Sequence, residues 1–310
     1  MKKLISMFCI LFLLISCIKD ADLDLPPAEI NYVLNGILHP DSLVSVYISK
    51  SNYLEDTTDY PIITNAKVIF YENETQIGQV EYSQTGNYTI DYKPKENQKY
   101  SVKATFDDGH ILFAEDKIPS KLDLNYYFPS CNRDSGRDFG LRIIGNTDNS
   151  FVWSYFYSFS ISRKFVMTDS GEINIEYLSE RIEPSPESRD IRLDDFNASF
   201  DNTSGYFDYY KYIRISSFES NTTNNFIFGL SFGSCSSDSL ILKDSEKLLA
   251  IVMNTSIHYD RYLKSSLQHY LLNEQQDTPN PFSEPVRIYS NVEGGLGIFA
   301  AYNSTQVSIR

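Results

Sequence analysis

Cysteine, histidine and tryptophan are scarce in this chain, and their scarcity closes off several kinds of chemistry. Four cysteines, four histidines and one tryptophan occur in 310 residues. His39, His110, His258 and His269 form no His-x-x-x-His pair, and no Cys-x-x-Cys occurs, so neither common metal-ligand spacing is present. His258 and His269 stand eleven residues apart on one helical pattern. That is about three turns, too far to share an ion. Gly-x-Ser-x-Gly elbows, phosphate loops and dinucleotide fingerprints are missing. Carboxylates are plentiful but scattered, and Asp194-Asp195 reads as a solvated loop, not an acid/base pair. No enzymatic activity, cofactor or metal is therefore expected. Positive charge is also short, with 27 Lys+Arg against 41 Asp+Glu. Such a balance repels phosphate backbones, and nucleic acid is not an expected partner.

The first residues suggest a compartment. Lys2 and Lys3 precede Leu4 to Ile15, which is nearly all apolar and uncharged, and Leu14-Ile15-Ser16-Cys17 follows. A basic start, a short apolar run and a small residue before the cut describe a secretory signal peptide over residues 1–16. A spanning helix needs about 20 apolar residues, more than this run supplies. Cys17 in this register resembles the bacterial lipobox, whose cysteine is diacylated and becomes the new N-terminus. The lipid bilayer is thus an expected partner through acylated Cys17. Cys9 leaves with the signal peptide. Without Lys2 and Lys3, 25 basic residues face 41 acidic ones, a net charge of −16. Residues 17–27 read as a lipidated tether. Lys19-Asp20 and the acidic residues after it resemble a surface-export tether, and also fit a solvated spacer. The alternating Asp20, Asp22 and Asp24 lack the glycine turn and distal Glu of a calcium loop.

Aromatic residues are abundant, with 23 Tyr and 20 Phe, which favours strands. Residues 28–118 carry a series of period-two runs: Ile30-Tyr32-Leu34, Val44-Val46-Ile48, Ala66-Val68-Phe70, Ile77 to Tyr82, Tyr88-Ile90-Tyr92, Tyr100 to Phe106 and Ile111-Phe113. Turn residues such as Thr85-Gly86-Asn87 and Asp107-Asp108-Gly109 separate them. This pattern predicts a small antiparallel, immunoglobulin-like sandwich, with Tyr100 placed as its corner tyrosine.

Pro119 to Leu124 reads as a linker into a second β-rich domain, residues 119–310. Phe151 to Ile161 is its strongest predicted strand, with Phe151, Trp153, Tyr155, Tyr157, Phe159 and Ile161 on one face. Further strands are predicted at 139–144, 211–216, 226–232, 248–253, 286–289, 297–302 and 307–309. The polar stretch 168–205 reads as an excursion with a hairpin near Ile173 to Tyr177. One helix is predicted over residues 257–273. Ser256 caps it, Leu263 and Leu267 lie on its apolar stripe, and Asp260 is four residues before Lys264, a favourable charge pair. Cys131 and Cys235 either form a disulfide or stay as two separate buried thiols. Closing a loop of about 100 residues would stabilise by up to roughly 4.7 kcal/mol.

Asn280-Pro281-Phe282-Ser283-Glu284-Pro285-Val286-Arg287-Ile288-Tyr289-Ser290-Asn291-Val292-Glu293-Gly294-Gly295-Leu296-Gly297-Ile298-Phe299 resembles the closing motif of a Bacteroidetes lipoprotein family of unknown function. Members are often encoded beside TonB-dependent outer-membrane receptors. The lipobox, the first β region and the helix fit the family's layout. It has no established catalytic residues, so no site is carried over. The glycines and prolines of the motif suit the fold, through close backbone approach and fixed φ.

Asp41-Ser42-Leu43, Asp56-Thr57-Thr58 and Asp238-Ser239-Leu240 resemble short O-glycosylation acceptors of exported Bacteroidetes-type proteins, making Ser42, Thr57 and Ser239 candidates. The resemblance implies a non-enzymatic accessory or substrate-binding lipoprotein of a TonB-dependent uptake system, anchored in the outer membrane, with surface exposure expected and the periplasmic face as the alternative. An adhesive or structural surface lipoprotein is the competing expectation.

Overall fold

A computed structural model of the chain describes residues 30–52, 59–132, 136–148, 151–167, 173–182, 187–188, 193–196, 212–215, 217–230, 234–236, 239–241, 246–274 and 286–309. The fold is mainly β, with several sheets and one helix among these residues. In chain order the first strands are β1 (Tyr32–Leu38), β2 (Ser45–Lys50), β3 (Lys67–Glu72), β4 (Thr75–Val80), β5 (Asn87–Thr89), β6 (Lys99–Thr105) and β7 (Ile111–Lys117). Then come β8 (Asp123–Asn132), β9 (Gly136–Ile144), β10 (Val152–Met167), β11 (Ile173–Ile182), β12 (Glu187–Ser188), β13 (Leu193–Phe196) and β14 (Tyr212–Ile215). β15 (Thr223–Leu230), β16 (Ser234–Ser236), β17 (Ser239–Ile241), β18 (Glu246–Thr255), helix α1 (Ile257–Glu274) and β19 (Leu296–Ile309) complete the series.

The alternating residues of the first region do point into one core. Val46 and Ile48 of β2, Val68 and Phe70 of β3, Tyr100 and Val102 of β6, and Leu112 and Ala114 of β7 are all buried together. Each valine, isoleucine, leucine or phenylalanine among them contributes on the order of 1.5–3 kcal/mol when fully buried. The core lies between the sheet β4-β3-β6-β7 and the end of a nine-stranded sheet that runs β19-β1-β2-β5. Tyr100 turns its hydroxyl back on its own chain: Lys95 N–H donates to it at 2.8 Å, and it donates to Glu72.

β19 joins the two regions. Its first part, Leu296 to Ala301, pairs in parallel with Val33 to Leu38. Its second part, Tyr302 to Ile309, pairs antiparallel with β18. Ile298, Phe299, Ala300 and Ala301 are all buried, as expected of a strand covered on both faces. The segment 28–118, expected to close on itself, therefore takes Phe299 and Ala301 into its core from the far end of the sequence. A strand in parallel pairing needs a crossover connection, and here everything between β1 and β19 serves as one.

The second core packs Val152 of β10, Ile213 and Ile215 of β14, and Ala250 and Val252 of β18 against Leu141 and Ile143 of β9 and Phe226 of β15. Several predicted boundaries shift. The strand expected over 151–161 runs from Val152 to Met167 and forms a long hairpin with β11. Asp123 onward, read as the tail of a linker, is β8, whose Leu124 and Tyr126 pack on the second core. Residues 297–302 and 307–309 are one strand. No strand forms at 286–289, because that segment bonds to the helix instead of to a sheet.

Candidate functional site

Helix α1 begins as its sequence dictates. Ser256 Oγ accepts from Tyr259 N–H at 3.1 Å, and Ser256 N–H donates to Ala301 O at 2.9 Å, fixing the helix start to β19. Ser256 Oγ also donates to Asp116 of β7. Asp116 further accepts from Lys117 N–H at 2.8 Å. Burial pushes its carboxyl up to about 7, against the lowering effect of these donors. Asn254 Nδ2 spans the carbonyls of Ser120 and Asn146, both at 2.8 Å, and Asn303 Nδ2 donates to Pro119 O. These buried polar groups hold the region boundary near residue 119 to β18 and β19.

The inward face of the helix carries a charge that sequence reasoning placed wrongly. Asp260 does not pair with Lys264 at the surface. It is buried, and Arg214 Nε and Nη2 donate to its two oxygens at 2.8 Å each. Trp153 Nε1 donates to the same carboxylate at 2.8 Å. Arg214 also lies over the Phe151 ring, 3.6 Å from its centroid. The cluster is sealed from solvent, so it positions the helix and cannot reach a ligand.

On its outward side the helix borders a groove of about 550 Å³, closed on the other side by residues 287–290. Arg261, Lys264 and Gln268 come from the helix, and Arg287 and Tyr289 from the facing segment. That segment is held at three points. His269 Nδ1 bonds Val286 O at 3.0 Å, Tyr289 N–H donates to Ser265 Oγ at 2.8 Å, and His258 Nδ1 bonds the Tyr289 hydroxyl at 2.7 Å. Arg261 sits 5.7 Å from the Tyr289 ring centroid. His258 is held below the usual imidazole value by burial and then by Arg261, with Glu115 opposing. Among the described residues, no carboxylate forms an ion pair with Arg261, Lys264 or Arg287. A second concavity of about 350 Å³ lies on the outer face of β3, β6 and β7, between Tyr71, Phe113 and the Lys99–Glu115 ion pair of 2.7 Å.

The profile of a domain of unknown function, DUF4249, matches residues 18–308. The chain belongs to the DUF4249 family. No curated protein matches it significantly. Among solved structures it is similar to a Salmonella alpha-2-macroglobulin reacted with methylamine, at 8% identity and a TM-score of 0.23, over 91% of this chain and 15% of that one. It is also similar to a Bacteroides uniformis beta-glucuronidase 2 covalently bound to a cyclophellitol-6-carboxylate aziridine, at 12% identity and a TM-score of 0.19, over 67% of this chain and 30% of that one. The chain thus spans less than a third of either protein, and scores this low transfer nothing.

In this DUF4249 chain the closing motif divides into two jobs. Asn291 to Phe299 is architecture. The Asn291 side chain makes both bonds to the Phe299 backbone, donating to its carbonyl at 2.8 Å and accepting from its N–H at 2.9 Å. Gly297 has φ +115°, and a Cβ there would stand 2.1 Å from Leu34 O. Arg287 to Ser290 instead form a wall of the groove. Sequence reading assigned the whole motif to the fold and missed this wall; the separated cations Arg261, Lys264 and Arg287 in an acidic chain were the available signal.

The other candidate residues stay apart from the groove. Ser42 is exposed in the turn between β1 and β2. Ser239 begins β17, and Thr57 and Cys17 lie outside the described residues. Cys131 is in β8 and Cys235 in β16, and β16 lies beside both β8 and β9. Among the described residues, no group of three or more metal-ligating side chains comes together, and no helix is long and apolar enough to cross a membrane.

Proposed function

We propose that this DUF4249 protein is a Bacteroidetes-type outer-membrane lipoprotein, anchored through Cys17, that serves a TonB-dependent nutrient uptake system as a non-enzymatic binding or docking partner. The observation that carries the reading is the groove between α1 and the closing motif. The stretch by which the chain resembles receptor-associated lipoproteins supplies Arg287 and Tyr289 to a concave, solvent-open surface. Its charged lining is wholly cationic, with the Gln268 amide beside it, and the Tyr289 hydroxyl is tied to His258 as part of the wall, which suits capture. A tether near the receptor raises the local concentration of whatever the groove holds. The first region is immunoglobulin-like in this proposal, and the return of the Tyr100 hydroxyl to Lys95 N–H, five residues upstream, supports it.

Deletion of the lipoprotein is expected to slow growth on one nutrient class while leaving soluble enzyme activities intact, and the receptor is expected to co-purify with the native protein. Normal growth on every source, with no receptor recovered, overturns the proposal in favour of an adhesive surface protein. That second reading has an observation of its own. The concavity flanked by Tyr71 and Phe113 offers aromatic surface with charged rims on an exposed sheet face, a composition suited to glycan contact.

A further inference from the structure

We infer that the groove between α1 and residues 287–290 is an oxyanion-binding site for a small molecule bearing at least two separated carboxylate or phosphate groups. Its place in uptake rests on the reading above; its chemistry does not.

Three features separate this groove from an ordinary solvated helix face. The first is sign. A chain with formal net charge −14 concentrates Arg261, Lys264 and Arg287 around one cavity, and among the described residues none of the three is neutralised by a salt bridge. Cations around one cavity repel, and a bound anion relieves that repulsion. The second is preorganisation. Arg261 is steadied over the Tyr289 ring, and Tyr289 is itself fixed by His258 through its hydroxyl and by Ser265 through its N–H. Less side-chain entropy is lost when a ligand arrives. The third is the donor inventory. Two guanidinium forks, one ammonium and the Gln268 amide line the groove, while Ser265 Oγ is already used, accepting from Tyr289 and donating to Tyr262 O. Guanidinium forks match carboxylate and phosphate oxygens two at a time.

Size sets the ligand's reach. From Arg261 to Gln268 the helix rises about 10 Å, and Arg287 faces this face from the opposite wall. Arg261 and Lys264 stand about 4.5 Å apart along the helix axis, with Arg287 on the opposite wall, so cations on two walls can engage two anionic groups separated by a few bonds.

Calorimetric titration of the full chain in detergent tests the inference, with citrate and pyrophosphate as separate anionic probes and a neutral disaccharide as control. One or both anions are expected to bind, and to bind more weakly at high salt. The double variant Arg261→Gln/Arg287→Gln is expected to lose roughly a hundredfold in affinity, about tenfold for each charge-assisted contact. Lys99→Gln, on the other concavity, is expected to leave affinity unchanged. Citrate alone binding assigns the site to carboxylates, and pyrophosphate alone assigns it to phosphates. Binding of neither, or binding indifferent to the double variant while circular dichroism stays native, overturns the inference. Cells carrying the double variant separate the two claims. A deletion phenotype that the variant does not share leaves the uptake reading standing without this site. Anion binding without any deletion phenotype leaves the site standing without the uptake reading.

Discussion

Asp260 and Arg214 meet through two parallel hydrogen bonds of 2.8 Å, between a helix and a strand 46 residues apart. Their side chains are only 3% and 6% exposed, so neither charge has water to fall back on. Trp153 completes the carboxylate's shell and ties the helix to β10 as well as β14.

Removing one member of that pair strands the other. Asp260→Asn and Arg214→Leu are each expected to cost on the order of 3–5 kcal/mol. Urea unfolding with constant slope measures it. A loss below about 1 kcal/mol would mean that the pair is solvated in solution. Lys264→Gln is expected to change stability by no more than about 0.5 kcal/mol, since Lys264 is not Asp260's partner.

Asp116 gives the protein a pH dependence. Its folded carboxyl is raised from 3.8 to about 7, chiefly by burial, so the folded state holds a proton that the unfolded state has released. The favourable contribution is fully present below the unfolded value and is lost as pH rises from about 4 to 7. The whole change is on the order of 4 kcal/mol. Asp116→Asn, which cannot ionise, is expected to flatten the stability profile over that window. A profile identical to that of the unaltered protein would remove Asp116 as its source.

The strand shared by both cores limits what can fold alone. A fragment of residues 28–118 lacks Phe299 and Ala301 and leaves β1 with one unpaired edge. It is expected to aggregate or stay unfolded, whereas the same fragment with residues 290–309 joined through a flexible linker should recover β-type circular dichroism. Within the intact chain, Gly297→Val is expected to be severely destabilising, because φ is +115° and Leu34 O occupies the space of a Cβ.

For the two later cysteines, β16 lies beside β8 and β9, and a direct measurement decides between a bridge and two thiols. Intact-mass measurement of protein recovered from the cell envelope, with and without reduction, is expected to show Cys131 and Cys235 two hydrogens short of free thiols. Alkylation of both cysteines without reductant would settle against it.

Anchoring is tested separately. Cys17→Ala is expected to abolish radiolabelled palmitate incorporation and shift the protein from the membrane to the soluble fraction. Unchanged labelling would end the lipobox reading.

Local features were legible before the structure. The alternation of Val44-Val46-Ile48 and of Tyr100-Val102-Ala104 needs only neighbouring residues to declare a strand, and Ser256 declares a helix start in the same way. Long-range features were not. Nothing near Asp260 distinguishes a carboxylate aimed at Lys264 from one aimed at Arg214. Nothing near Val33 announces a partner at Leu296. Residues 286–289 alternate like a strand, yet their backbone is claimed by Ser265 and His269, so they line a groove instead. The cations of that groove were visible as letters, but their convergence depends on how the helix and the closing motif are placed.

The pairing of β1 with β19 also has a consequence for biosynthesis. Residues 32–38 leave the ribosome tens of seconds before residues 296–301, at synthesis rates of roughly 5–20 residues per second. For that interval β1 offers a row of unsatisfied N–H and C=O groups, a template for adhesion to other nascent chains. A chain with β1 unpaired on that side is therefore expected to aggregate until β19 joins it. A chain that ends before residue 296 lacks Phe299 and Ala301 from its first core and leaves one edge of β18 unpaired, and proteases are expected to cut it more readily than the finished molecule.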